Sequence, residues 1–251
     1  MKTGTCSLCG KIAELSGTSH IIPKFMYKGM EDNRNKIALS ILKNNIKKET
    51  EIDYRYFDKD VICVDCETVT LSQLDNYGNR VLFGDQKTKD LFQTQVFRCL
   101  EGKLCIIENF ESEKFKLFLL SVLWRAHISK HPFFKEINLG LKAEALCKSI
   151  ITGNSDLPNV KISIFGLMFN PSKIYKIVSA PRHIVQEGLD VYSFIIYGIV
   201  YNFIYKDINN LFQFGENHLK ANQSLKIPFY MGAEAANFCR AFVMPKGPSL
   251  V

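Results

Sequence analysis

The chain reads as an α+β protein, and three observations carry that reading. Two Cys-x-x-Cys pairs, Cys6/Cys9 and Cys63/Cys66, bracket a largely polar N-terminal segment. Apolar residues then recur at helical spacing from Phe115 to His131 and from Leu139 to Ile151. After Pro158 the texture changes to β-branched and aromatic runs divided by turn residues. Helices followed by strands, without alternation, describe α+β layers rather than a βαβ series. The expected parts are a cysteine-bearing module over 1–85, a helical middle over 86–155 and a sheet-rich part over 156–251.

The first element is a zinc knuckle within residues 1–11. In Cys6-Ser7-Leu8-Cys9-Gly10 the glycine allows the turn that brings both sulfurs to one side. Ser19-His20 ends a short strand or loop, and Pro23 suits the first turn of a helix through Lys24-Phe25-Met26-Tyr27. The polar stretch from Glu31 to Asp60 is an inserted hairpin or a mobile loop, with Ile52 to Phe57 alternating as a strand. From Cys63 onward the pattern is helical, with Leu71, Leu74, Val81 and Leu82 near helical spacing. Residues 90–110 are mixed. The Phe115 helix is apolar on most sides and ends at Pro132; the Leu139 helix ends at Gly153. Val160 to Phe169, Ile174 to Ser179, Val191 to Gly198 and Ile199 to Tyr205 are the expected strands of an antiparallel sheet.

Hydrophobic residues make up 47% and aromatics 12% of the 251 residues, enough for a sizeable core. No uninterrupted apolar run has membrane-spanning length. The longest candidate, Val191 to Tyr205, is broken by Ser193, Gly198 and Asn202. Met1 to Gly10 is polar and cysteine-bearing, unlike a secretory leader. The expectation is a cytosolic protein with reduced thiols and no membrane partner. The net charge is +7, with eleven Lys/Arg against eight Asp/Glu over 1–60 and fifteen against eight over 115–251. That excess favours contact with a polyanion but is too diffuse to form a nucleic-acid patch.

Four cysteine thiolates in two close pairs fill a tetrahedral zinc shell with no vacancy. A redox-active Cys-x-x-Cys is the competing use, but it normally needs one pair at a helix start after a strand. Zinc is therefore expected as a structural ion whose binding energy folds the module. A closed four-sulfur shell cannot activate water, so chemistry needs another group, and His20 stands between the pairs. Cys99, Cys105, Cys147 and Cys239 stand singly in apolar surroundings and read as buried small hydrophobes.

Taken in order, Cys6-x-x-Cys9-Gly10, Ser19-His20-Ile21-Ile22-Pro23 and Ile62-Cys63-x-x-Cys66-Glu67 resemble the zinc-bearing branch of the HNH endonucleases, over roughly residues 6–80. The resemblance implies a treble-clef-like ββα-metal module. In it His20 matches the general base, and Cys6, Cys9, Cys63 and Cys66 match the structural zinc ligands. It also implies a catalytic Mg or Mn ion at the scissile phosphate, held by an acidic residue and a further histidine or asparagine. The sequence departs from that pattern: Ser19 stands where the family usually has Asp or His, Glu67 where Asn is common, and the next helix has no histidine. Glu67 and Asp75 are the candidate carboxylates for the second ion. Eight residues apart on a helix, they share a face but stand about 12 Å apart along its axis, too far for both to bind one ion directly.

The implied function is cleavage of DNA phosphodiester bonds, with an antiviral-defence or mobile-element role by analogy. The C-terminal part would supply substrate recognition, a protein partner's surface or a homo-oligomer contact. The alternative is a non-catalytic, zinc-stapled nucleic-acid-binding or regulatory protein, which the departures favour. Elsewhere, Arg125 beside Trp124 is expected to reach a core carboxylate rather than a phosphate. His127 and His131 have the i, i+4 spacing of a metal pair without an intervening glutamate, and read as a solvated or packed helix face. Pro181-Arg182-His183 reads as a turn between strands. Phe194 to Tyr205 reads as core rather than a base-stacking sheet.

Overall fold

The computed structural model describes residues 2–27, 36–43, 46–53, 56–84, 104–108, 110–155, 161–170, 173–174, 177–186, 189–205, 219 and 224–243. It is a mixed helix-and-strand fold whose sheets are mostly antiparallel. A short hairpin opens it, β1 (Thr3–Thr5) against β2 (Ile12–Glu14), and the turn between them carries Cys6 and Cys9. Gly10 closes that turn at φ 73°, a left-handed conformation that glycine adopts without a Cβ clash. Next, β3 (Ser19–His20) pairs antiparallel with β6 (Phe57–Asp58).

Between them lie a 3₁₀ turn, Lys24–Tyr27, and a second hairpin, β4 (Lys36–Lys43) with β5 (Ile46–Asp53). Of the two readings of the polar stretch, the inserted hairpin is the observed one. The strand expected over Ile52 to Phe57 is divided, because β5 ends at Asp53 and β6 begins at Phe57. Past Cys63 the chain turns helical. A widened π turn over Cys66–Leu71 runs into α1 (Ser72–Phe83), which buries Leu74, Tyr77, Val81 and Leu82.

After β7 (Leu104–Ile107) comes α2 (Ser112–Ile128), whose Phe115, Phe118, Leu119, Val122, Leu123 and Trp124 are buried. A helix apolar on most of its circumference belongs in the middle of a core. It stops at Ile128, three residues short of the expected end. His131 is held extended (φ −70°, ψ 129°) before Pro132, as the ring of a following proline demands. A second helix, α3 (Gly140–Ile151), packs beside α2.

The large sheet holds β8 (Lys161–Asn170), β9 (Lys173–Ile174), β10 (Val178–Gln186), β11 (Leu189–Ile196), β12 (Ile199–Tyr205), β13 (Leu225–Met231) and β7. Its order is β10-β11-β12-β8-β13-β7, with β9 also paired to β8, and only β8–β13 is parallel. Side chains alternate between its faces. Phe165, Leu167, Ile195 and Val200 point to α4 (Gly232–Val243), while Ile162, Ile164, Phe194, Ile196, Tyr201 and Phe203 join the main core.

Three expectations need correction here. Pro181-Arg182-His183 lies inside β10, not in a turn; a register shift between Ser179 and Arg182 is what accommodates the proline. The strand expected over Ile174 to Ser179 is instead the end of β9 and the start of β10. Neither β13 nor α4 was expected. One continuous apolar cluster runs from Cys6 and Leu15 through Phe118 and Trp124 to Phe203 and Phe229, shared by all three parts of the chain. Among the described residues, no helix is long and apolar enough to cross a membrane. Cys105 and Cys147 are buried as expected, Cys239 is half-buried, and Cys99 lies outside the described residues.

Candidate functional site

The four paired cysteines come together. The β1–β2 turn supplies Cys6 and Cys9, and the entry to the π turn supplies Cys63 and Cys66. Their four sulfur atoms all lie within 4.8 Å of one another, close enough to share one metal ion. Main-chain bonds bring the two halves together: Ser7 N donates to Val61 O at 2.9 Å, Ser16 N donates to Ile62 O at 2.8 Å, and Leu15 bridges Cys63. Cys6, Cys63 and Cys66 are buried. Burial resists ionisation of Cys6, yet N–H groups of Cys63, Cys9 and Leu8 outweigh it and bring that thiol down to about 7. Burial pushes the Cys63 and Cys66 thiols up, and the charge on Cys6 adds to the rise. The four sulfurs by themselves thus favour ionisation of Cys6 and resist that of Cys63 and Cys66, and a cation among them would offset that resistance.

His20 lies on β3, the strand that follows the β1–β2 hairpin carrying Cys6 and Cys9. It ends β3, partly exposed, with its ring 6.3 Å from that of Phe57 on the paired strand. Behind it lies Glu67 on the π turn, directly after Cys66. Burial raises the Glu67 carboxyl, while the charge of Arg125, the Ser19 hydroxyl and the His20 main-chain N–H oppose the rise. One Glu67 oxygen, Oε2, is buried without a hydrogen bond, as is Ser19 Oγ.

Asp75 takes a different role. Both of its oxygens accept from Arg125, Oδ1 from Nη2 at 2.7 Å and Oδ2 from Nη1 at 3.1 Å. Arg125 projects from α2 and its side chain is 0% exposed. Its expected core carboxylate is therefore Asp75. The fork also donates Nε to Ser121 O, Nη2 to Ser121 Oγ and Nη1 to the His20 carbonyl at 3.0 Å. That last contact joins positions 105 residues apart. Sequence reasoning missed it; the only signal was a guanidinium in an otherwise apolar helix, which requires acceptors.

The remaining candidates are structural. His127 Nδ1 accepts from Leu139 N, and its Nε2 lies 3.4 Å from Glu144. His131 Nδ1 caps the Pro132 turn by accepting from Phe133 N. The two rings are thus occupied separately. Arg182 donates to Glu136 and to Phe242 O, and His183 pairs with Asp190 at 2.8 Å. The Arg182 contacts fasten β10 to the helical part and to α4, and the His183 contact ties it to β11. Comparison with protein-family models, with curated proteins and with solved structures finds no match to this chain, so the reading of the site rests on its own geometry.

Proposed function

We propose that the protein is a metal-dependent endonuclease of HNH type, cleaving DNA phosphodiester bonds, with His20 as the general base. The observation that carries the reading is the union of two features in one small unit. The four-sulfur cluster and the His20 strand share a framework of knuckle, two-stranded pairing and helix, an order that supports reading the module as a treble clef. Four sulfur donors in one cluster suit zinc, the soft-ligand tetrahedral ion, and a reducing cytosol would keep them as thiols. With its shell closed, that zinc would be a staple.

Hydrolysis of a phosphodiester then needs a base and a source of positive charge. His20, partly exposed and beside the staple, is suited to accept a proton from water. Mg or Mn, when bound, would stabilise charge on the phosphate and the leaving oxygen. Glu67 is the carboxylate that fits it, since Oε2 and the neighbouring Ser19 Oγ are buried polar atoms without bonds. Asp75 is not a ligand in this reading, because Arg125 engages both its oxygens. The C-terminal sheet would serve recognition of DNA or of a protein partner.

Plasmid nicking with Mg²⁺ or Mn²⁺ tests the reading. Wild type should nick, and His20→Ala should lose roughly 10²-fold or more, the usual scale for a general base. Unchanged nicking by the variant would remove His20 from the mechanism. The loss of Asp75 to an ion pair specifically favours a second reading, a zinc-stapled binding or regulatory protein. Absence of cleavage with every divalent ion, together with DNA binding, would establish that one.

A further inference from the structure

We propose that Arg125 is a positioning residue for His20, gripping that residue's main-chain carbonyl. The proposal deepens the nuclease reading and relies on it for one of its two measurements. Ile21 N donates to Tyr56 O at 2.9 Å, while His20 stands opposite Phe57. In antiparallel pairing, hydrogen-bonded and non-hydrogen-bonded positions alternate. His20 therefore occupies a non-hydrogen-bonded position, and its N–H and C=O face away from β6. At the edge of a two-stranded sheet such groups have no strand to bond, and leaving them bare inside a protein is costly.

A charged side chain from a helix meets the carbonyl. Arg125, on α2, donates to the His20 carbonyl. The guanidinium cannot swing away, because its five N–H groups are all engaged and its side chain is fully buried. Asp75 orients it and Ser121 backs it on its own helix. The peptide group that follows His20 is thus referenced to α2, and the direction in which its imidazole leaves the strand is constrained with it. A general base acts only within hydrogen-bonding reach of its proton, and a displacement of about 1 Å can cost on the order of 10²-fold in rate.

The test separates positioning from bulk stability. The double variant Arg125→Met/Asp75→Leu replaces a buried ion pair by apolar groups of similar size, an exchange that folds well in other proteins. Arg125→Lys keeps the charge beside Asp75 but loses the fork that reaches two acceptors at once, and it carries the same measurements if the double variant fails to fold. The first measurement is the imidazole ¹H–¹³C signal of His20, assigned with His20→Ala. The second is kcat and KM for plasmid cleavage. We expect the variants to keep their metal, to show a shifted or broadened His20 signal, and to lose kcat by roughly 10–100-fold at nearly unchanged KM. A wild-type signal with wild-type kcat would overturn the proposal. Should wild type itself cleave nothing, the nuclease reading falls, and the His20 signal alone decides: displaced, it sustains the grip; unchanged, it refutes it.

Discussion

Arg125 and Asp75 form a buried pair in which one partner is fully enclosed and the other has a side chain 24% exposed. Taking a guanidinium out of water is expensive, and only a complete set of acceptors compensates. Arg125 has that set, so removing Asp75 alone strands a charge. Asp75→Leu should therefore destabilise the fold by about 3–5 kcal/mol, and more than the Arg125→Met/Asp75→Leu pair does. Urea unfolding of the three proteins checks this; equal losses would mean that the pair is not desolvated as drawn. Glu144 illustrates the opposite regime. A hydrogen bond from Lys148 at 2.9 Å, with His127 nearby, holds its carboxyl below the usual 4.5. Its folded pKa is depressed, so its contribution is present above about pH 4.5 and fades as pH falls through the folded value. The pair is only partly shielded from solvent, which limits that contribution to about 0.5–1 kcal/mol. Glu144→Gln should be less stable than wild type by that amount at pH 7, with the difference vanishing once the pH has fallen below the folded value of Glu144.

Contact between elements is closest where glycine permits it. A Cβ at Gly78 on α1 would lie 2.6 Å from the Phe118 ring on α2, and one at Gly166 on β8 would overlap the Phe229 ring on β13. Both rings belong to the main core and have little room to retreat. Gly78→Ala should cost about 1–3 kcal/mol by overpacking, despite alanine's better helix propensity; a stabilised variant in thermal melts would mean that α1 and α2 are not in this contact. The same elements explain what the sequence discloses. The helix α2 and strands β8, β11 and β12 are legible because their burial is periodic over eight or more residues, or continuous between turn signals. The thiol cluster is legible because one residue type in two closely spaced pairs supplies the four ligands of a single ion. By contrast, β13 carries Pro228, which argues against a strand until its pairing is seen: Pro228 stands opposite Leu104 of the edge strand β7, and the contact with β8 begins only at Phe229. The grip on His20 was illegible for another reason. It joins β3 to α2 across 105 residues, and no local pattern records which carbonyl a buried guanidinium will meet.

At the scale of the whole molecule, the four-thiol cluster is not an isolated bead. Cys6, Cys63 and Cys66 belong to the same apolar cluster as Trp124 on α2 and Phe203 on β12. A small zinc module alone depends on its ion because its core is too small. Here the module also leans on helices and sheet, and they lean on it. The module should therefore not melt separately. Calorimetry of the zinc-loaded chain should give one principal transition, and chelation should move that whole transition down rather than split it, by the linkage between folding and ligand binding. At a free zinc level 100 times the dissociation constant, binding contributes about 2.7 kcal/mol, which for a chain of this size is a shift of about 2–4 °C for each kcal/mol lost. Cys63→Ser should lower the transition in the same way and no longer respond to chelator, since one ligand of the four is gone. Metal analysis should find about one zinc per wild-type chain, as a single four-ligand shell requires. Two resolved transitions, only one of them sensitive to chelator, would show that the first 84 residues fold on their own, and the shared core drawn here would then contribute no cooperativity between the metal and the sheet.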